Sequence, residues 1–513
     1  MPRMISKKPE GSKRRDFNVD ACRYASAALK GSLRTFGNAG TRPRQMKKIE
    51  NTRVRTYGIT LTLAPEMDIF SAQMTHPGTG TFFSEGFMPK SKTTIRSYTQ
   101  TPDSHYQKTS LSNGVRVVSE SIPYVRSVSL GIWADVGSRD ESPEQNGISH
   151  FLEHMVFKGT KKRSVKEIAQ SLESLGGYLN AFTTKEQTCF YARVLDTHVP
   201  QSMDVLSDLL LNATFRRQEL EKEKLVVIEE LKNAEDDPED IIHDYFEKAL
   251  FPNHSLGFPI IGTEENLRRF DRGDLQAHVA AHYHPSRIVV AAAGNVDHKA
   301  LVRLADRYFK RHRTGSEQYR RLPGPMEAKK GKELDYPRQI KQAHICLGTV
   351  AYSIRHPNRY PLLVLNGLLG EGMSSRLYQV IREKHGFAYS VYSFVTMLSD
   401  TGVFGAYIGT DTKKISKAVD LVYEELALLR KRPVSRGELE RTKSQIKGNL
   451  MLGLENMSGR MMRLGSGELY YGSYIPLDSI LRKIDAVTPD SIQEVANDLF
   501  HRENFSTVVV RPA

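Results

Sequence analysis

The chain has 513 residues, of which 39% are apolar and 26% charged, a composition that excludes collagenous, mucin-like and fully disordered chains. Its longest apolar run, Ile288 to Ala293, is far short of the roughly 20 residues that a membrane span needs, so no span is expected. Residues 1–87 hold 15 Lys and Arg against 7 Asp and Glu, which leaves only +6 of the net +14 to the other 426 residues, and no nucleic-acid partner is expected from so mild a balance.

Residues 1–105 read as a largely disordered basic extension. They lack sustained apolar periodicity up to residue 87 and cannot bury enough surface to offset their ordering entropy. The Arg-rich start has the flavour of a transit peptide, but Asp16, Asp20 and the length argue against one, and translation from Met88 would leave every motif below intact. From about residue 106 the text changes. Asn113-Gly114 marks a hairpin, and Ser127 to Ala134 reads as a buried strand. Helical patterns follow at about 144–158, 165–175, 198–213 and 217–235, then a strand at 287–293 and a helix at 298–311. Residues 312–338, rich in charge, Pro and Gly, suggest a linker.

The grammar then repeats: a strand at about 341–350, helices at 358–370 and 374–386, a strand pair over 388–410, helices at 413–430, 436–454 and 488–499, and a strand at 507–510. The expected architecture is α+β, with two homologous domains, 106–311 and 339–513, on either side of the linker. Cys22, Cys189 and Cys346 are scattered, which fits reduced thiols in a cytosol-like compartment better than a disulfide framework.

The chemistry concentrates at His150-Phe151-Leu152-Glu153-His154. On a helix, positions 150 and 154 share a face and 153 lies beside them, so two imidazoles could hold one Zn²⁺ while a carboxylate handles a proton. A third ligand must come from elsewhere, because a catalytic zinc takes three protein groups and keeps one position open. The helix at 217–235 carries Glu219, Glu221, Glu223, Glu229 and Glu230, and Glu223 and Glu230 share a face two turns apart.

His150-x-x-Glu153-His154 is the inverted zincin motif, and with Glu230, 76 residues beyond His154, the chain resembles the pitrilysin–insulinase–mitochondrial processing peptidase family. Gly159-Thr160, Gly176 to Thr183 and Gly262 to Asn266 match the family's text too. The resemblance covers essentially all of 106–513, closest to bacterial processing-peptidase-like members. It implies a zinc endopeptidase with His150, His154 and Glu230 as ligands of one Zn²⁺ per chain, Glu153 as general base and Glu223 as a supporting acid. Glu229 is the alternative to Glu230 should the register slip by one.

The same resemblance implies that each domain is a largely antiparallel sheet with helices on one side, and that the two face each other around a clam-shell chamber. A peptide substrate would add to an edge strand containing Asn180, Ala181 and Phe182. Arg382 and Tyr389 match the family's pair that reaches the zinc from the second, metal-free domain. Glu371 interrupts a stretch where the family often has a glycine run. A homodimer or a homologous partner chain is expected, in the cytoplasm of a bacterium. The alternatives are a β-type subunit of a processing peptidase in the mitochondrial matrix and a non-catalytic scaffold like the core subunits of the bc1 complex.

Overall fold

The computed structural model describes residues 96–97, 105–312, 321–325 and 330–513. The extension expected over 1–105, with its alternative start at Met88, therefore lies outside the described residues except for a two-residue strand, β1 (Arg96–Ser97), and His105. That strand pairs with the first sheet, Arg96 opposite Ser110 and Ser97 opposite Thr109.

The first half runs β2 (Tyr106–Ser110), β3 (Arg116–Ser121), β4 (Ser127–Ala134), α1 (Ile148–Val156), α2 (Val165–Glu173), β5 (Tyr178–Thr183), β6 (Thr188–Leu195), α3 (Val199–Asn212), α4 (Arg217–Asp236), α5 (Pro238–Leu250), α6 (Glu264–Arg269), α7 (Arg272–His282), β7 (Ile288–Gly294) and α8 (His298–Phe309). Its strands order β1-β2-β3-β7-β4-β6-β5, with β3 and β7 parallel and every other pair antiparallel. The second half runs β8 (Glu333–Arg338), β9 (Ala343–Ala351), α9 (Arg359–Gly370), a π-helical segment (Tyr378–Lys384), β10 (Ala388–Met397), β11 (Gly402–Thr410), α10 (Ile415–Lys431), α11 (Arg436–Gly453), α12 (Met457–Tyr471), α13 (Leu477–Asp485), α14 (Pro489–Leu499) and β12 (Ser506–Pro512). Its sheet orders β10-β11-β9-β12-β8, with only β12 and β8 parallel.

Two readings of the sequence change here. The expected linker over 312–338 ends in β8, an edge strand whose alternating exposure is masked in the text by Glu, Asp, Arg and Pro; Pro337 is tolerated because nothing pairs on its outer side among the described residues. The expected helix at 374–386 is a π-helical segment over Tyr378–Lys384, a form that concentrates at functional sites.

Each half's own helices cover one face of its sheet. The main core of the first half sets Leu130, Ile132, Val290 and Ala292 of the sheet against Phe151 and Met155 of α1, Leu206 and Leu209 of α3, and Leu301 of α8. The second face is covered by an element from the other half. Met461 and Leu464 of α12 pack on Val118, Trp133, Cys189, Val289, Ala291 and Ala293. A Cβ at Gly465 would sit 2.1 Å from the Trp133 indole nitrogen, so glycine is what lets the helix lie on the ring. Reciprocally, Ile242, Phe246 and Ala249 of α5 cover Cys346, Val350, Val403, Val508 and Val510 of the second sheet. This exchange explains why β4, β7, β9 and β11 are buried along nearly their whole length: strands covered on both faces gain nothing from polar alternation.

Candidate metal centre

Helix α1 is short, and its ends are set by contacts rather than by its own length. Ile148, Phe151, Leu152, Met155 and Val156 face the core, which leaves His150, Glu153 and His154 on the opposite, half-buried side. Its N-terminus has no side-chain cap from the preceding residue; instead the buried Glu141 carboxylate accepts from the Gly147 N–H (2.8 Å), the Ser149 N–H (2.8 Å) and Asn146 Nδ2 (3.1 Å). Burial pushes this carboxyl up to about 7 against the pull of those donors. Gly147, at φ 98°, packs so closely on Gly262 that a Cβ on the former would lie 2.7 Å from the latter's Cα. Asn266 Nδ2 donates to the Asn146 carbonyl at 3.1 Å. The Gly262 to Asn266 text thus fixes where α1 begins, a role that sequence reasoning did not assign, as it did not assign Glu141 any.

Helix α4 buries Leu220, Glu223, Lys224, Val227, Ile228 and Leu231 along one stripe and lies beside α1. Val226, on the other side of the helix, is exposed. From this stripe Glu230 reaches both histidines, with Oε2 at 3.4 Å from His154 Nε2 and Oε1 at 3.9 Å from His150 Nε2. Glu229 points elsewhere, toward Lys232 at 4.0 Å. One donor atom from each of His150, His154 and Glu230 falls within 4.8 Å of the others.

Two imidazole nitrogens and one carboxylate oxygen form a donor set that suits zinc and leaves a coordination position open. Ligands about 2.0–2.1 Å from a tetrahedral ion would lie ~3.3 Å apart, close to the spacing of His154 and Glu230. Burial, then the neighbouring His154, lowers His150 to about 4, so its imidazole is neutral and able to ligate. Burial also depresses His154, but its bonds to Glu223 and Glu230 outweigh that and raise it to about 9.

Glu223 Oε1 bonds His154 Nδ1 at 2.9 Å and its Oε2 takes Lys158 Nζ at 2.7 Å. This holds the ring with Nε2 directed at Glu230 and fixes its tautomer. Burial raises the Glu223 carboxyl, yet the bonds to His154 and Lys158 win and hold it below its usual range. Replacing Glu223 with Gln should weaken zinc binding about 10–100-fold, read by competition with a chelator of known affinity, while the fold persists.

Glu153 is not part of the triad. Its Oε2 accepts from Thr183 Oγ1 at 2.6 Å, and burial raises its pKa, opposed by that hydrogen bond. Thr183 ends β5, which among the described residues pairs with β6 alone and forms one edge of the sheet. On β5 the Ala181 N–H meets Asn180 Oδ1 at 2.9 Å, and Asn180 Nδ2 donates to Tyr178 Oη at 2.7 Å. The Phe182 ring packs edge-on against Trp133 (5.5 Å between centroids), so what that residue can offer a ligand is backbone.

In the second half the Arg382 guanidinium lies between two rings, 4.9 Å from that of Tyr378 and 4.7 Å from that of Tyr389, and donates to the Tyr389 carbonyl at 2.5 Å. The Tyr389 ring is exposed. Among the described residues no hydrogen bond or ion pair joins Arg382 or Tyr389 to the histidines. Tyr378 is a third member of this group that the sequence did not single out. Its place one turn before Arg382 was the available signal. Glu371, the departure from a glycine run, anchors its loop through Asn449 Nδ2 at 3.1 Å. Cys189 and Cys346 are buried free thiols, and Cys22 lies outside the described residues. No described helix is long and apolar enough to cross a membrane.

The family model described as insulinase (peptidase family M16) matches residues 116–264, and the model for the M16 inactive domain matches residues 269–446. The Bacillus subtilis (strain 168) protein named as the uncharacterized zinc protease YmxG is 42% identical over 403 residues, covering 78% of this chain and 97% of its own. An uncharacterized zinc protease of Rickettsia felis is 34% identical over 405 residues, 78% of this chain and 96% of that one. The crystal structure of a protease from Helicobacter pylori superposes with a TM-score of 0.74 at 22% identity, over 80% of this chain and 100% of that chain, which supports the two-domain α+β clam-shell fold. On matches that span both halves and relatives aligned along nearly their whole length, the chain belongs to peptidase family M16, the insulinase family, with the bacterial zinc proteases.

Proposed function

We propose that the chain is a zinc endopeptidase that hydrolyses unfolded peptides and oligopeptides in a chamber between its two halves. The observation that carries this reading is the bond from Thr183, the last residue of the β5 edge, to Glu153, which shares a helix face with the two histidines. It ties the acid–base group to the strand on which a peptide would lie.

His150, His154 and Glu230 would hold one zinc per chain, and zinc there would supply Lewis-acid polarisation of a carbonyl oxygen and a more acidic water. The chain's own residues do the rest. The backbone of Asn180 to Phe182 binds the peptide as an added strand and sets its register without demanding a sequence. The Thr183 bond fixes Glu153 Oε2, which leaves Oε1 to take a proton from the attacking water and return it to the leaving amine. The raised affinity of this buried carboxyl for a proton suits both transfers. Arg382 and Tyr389, brought across by closure of the halves, donate hydrogen bonds to the substrate carbonyl and to the oxyanion that develops from it.

Incubation of the zinc-loaded chain with an internally quenched unstructured peptide and with a tightly folded protein tests the proposal. The peptide should be cut and the folded protein spared. Rapid cleavage of the folded protein contradicts the chamber, and an intact peptide contradicts the peptidase.

A further inference from the structure

Away from the metal centre, a buried cluster of charge lies where the two halves meet. The Arg139 and Glu186 side chains are both 0% exposed and pair at 2.5 Å. Glu186 belongs to the β5–β6 turn. Besides Arg139, its Oε1 accepts from Ser399 Oγ at 2.7 Å and its Oε2 from the Ser399 N–H at 2.9 Å. Ser399 and Asp400 form the β10–β11 turn of the second half. The Arg139 fork grips Asp400 with Nη1 on Oδ1 and Nη2 on Oδ2, each at 2.7 Å. The crossing segment passes through the same place: Arg139 Nη2 donates to the Leu322 carbonyl at 2.7 Å, and the Gly324 N–H donates to Asp400 Oδ2 at 2.8 Å. Arg321 binds Asp140 Oδ1 at 2.8 Å and Asp135 Oδ1 at 3.0 Å.

We propose that Arg139, Glu186 and Asp400 form a positioning joint, which locks the β5–β6 turn to the β10–β11 turn and thereby sets where β10 presents Tyr389 and, through the bond to the Tyr389 carbonyl, where Arg382 lies. The inference rests on the role given above to those two residues.

Buried ion pairs add little net stability compared with apolar packing, but a forked guanidinium with two carboxylates dictates direction as well as distance. Both turns sit at the far ends of strands that matter. Starting one residue beyond Thr183, the β5–β6 turn meets the Ser138 and Arg139 N–H groups through the Thr184 and Lys185 carbonyls, at 3.2 and 2.8 Å. A Cβ at Gly137 would lie 2.2 Å from the Thr184 carbonyl oxygen, so this approach is possible only for glycine. At the other side, Tyr389 is the second residue of β10, the strand that Asp400 follows. At about 3.3 Å per residue, that strand is a lever of roughly 30 Å. A tilt of about 2° at the joint moves its far end by about 1 Å, a misplacement that can cost a reaction roughly 10²-fold.

The test uses the full zinc-loaded chain, with Asp400→Asn, Tyr389→Phe and the double variant, each normalised to bound zinc. Asp400→Asn should lower kcat for the quenched peptide by about 10–100-fold. Tyr389→Phe should then cost much less in the Asp400→Asn background than in the wild type, because the ring is already misplaced. Additive losses, the signature of general destabilisation, or an unchanged kcat would overturn the joint. Amide exchange gives a readout free of activity: Asp400→Asn should speed exchange across residues 378–392 as well as in its own turn, whereas a change confined to 398–401 contradicts the proposal. If the wild type is inert toward peptides, the peptidase reading fails while exchange still decides the joint. If Asp400→Asn does not fold, Ser399→Ala, which removes one bond to Glu186, should shift exchange over 378–392 in the same direction, and no shift overturns the proposal.

Discussion

Glu153→Gln is expected to keep its zinc and its fold and to lose peptide hydrolysis by about 10²–10⁴-fold, the usual contribution of a positioned acid–base group. The substitution is nearly isosteric, and the Gln carbonyl oxygen can still accept from Thr183 as Glu153 Oε2 does. The donor set is complete without position 153, so metal affinity should hold. What disappears is a group able to take up and release a proton in a buried setting where burial raises its proton affinity. Steady-state cleavage of the quenched peptide, with zinc measured on the same samples, checks this. Substantial hydrolysis by the variant would move the proton transfer to another residue.

Glu230→Gln is expected to act one step earlier, on the metal itself. Among the described residues Glu230 is the one carboxylate that spans both histidines, and it carries the negative charge that a dication and two neutral imidazoles need. A neutral amide oxygen is a poorer donor, so the loss in zinc affinity should exceed the roughly 10–100-fold expected of a supporting residue such as Glu223. Hydrolysis should fall to background at zinc concentrations that saturate the wild type. Glu229→Gln is the control, since that side chain faces solvent near Lys232, and it should leave zinc content unchanged.

Much of the candidate site is legible in the sequence because helical spacing is rigid. The i, i+4 pair His150 and His154 with Glu153 beside it can be placed before any fold is known, and so can the two-turn repeat of Glu223 and Glu230. Spacing says nothing of which helix meets which. That α4 lies against α1, so that Glu230 rather than Glu229 faces the histidines, follows from tertiary packing. The strands β4, β7 and β9 are visible as apolar runs, but the helix that covers the second face of each sheet is not. Helices α5 and α12 lie in mixed, charged text, and their partners are more than 90 residues away in sequence. Glu141 and the Arg139 joint escape for a related reason. Isolated charges in loops look solvated, and only the fold shows them buried among the donors and counter-charges that make burial affordable.

His150, His154 and Glu230 are proposed to hold one zinc ion together, beside Glu153. Anomalous diffraction at the zinc edge, from crystals of the zinc-loaded wild type and of Glu230→Gln, tests this most directly. One peak per wild-type chain is expected, within about 2.0–2.2 Å of the two Nε2 atoms and a Glu230 oxygen, and a peak lost or strongly reduced in the variant. A peak at other residues, or one of equal strength in Glu230→Gln, would contradict it.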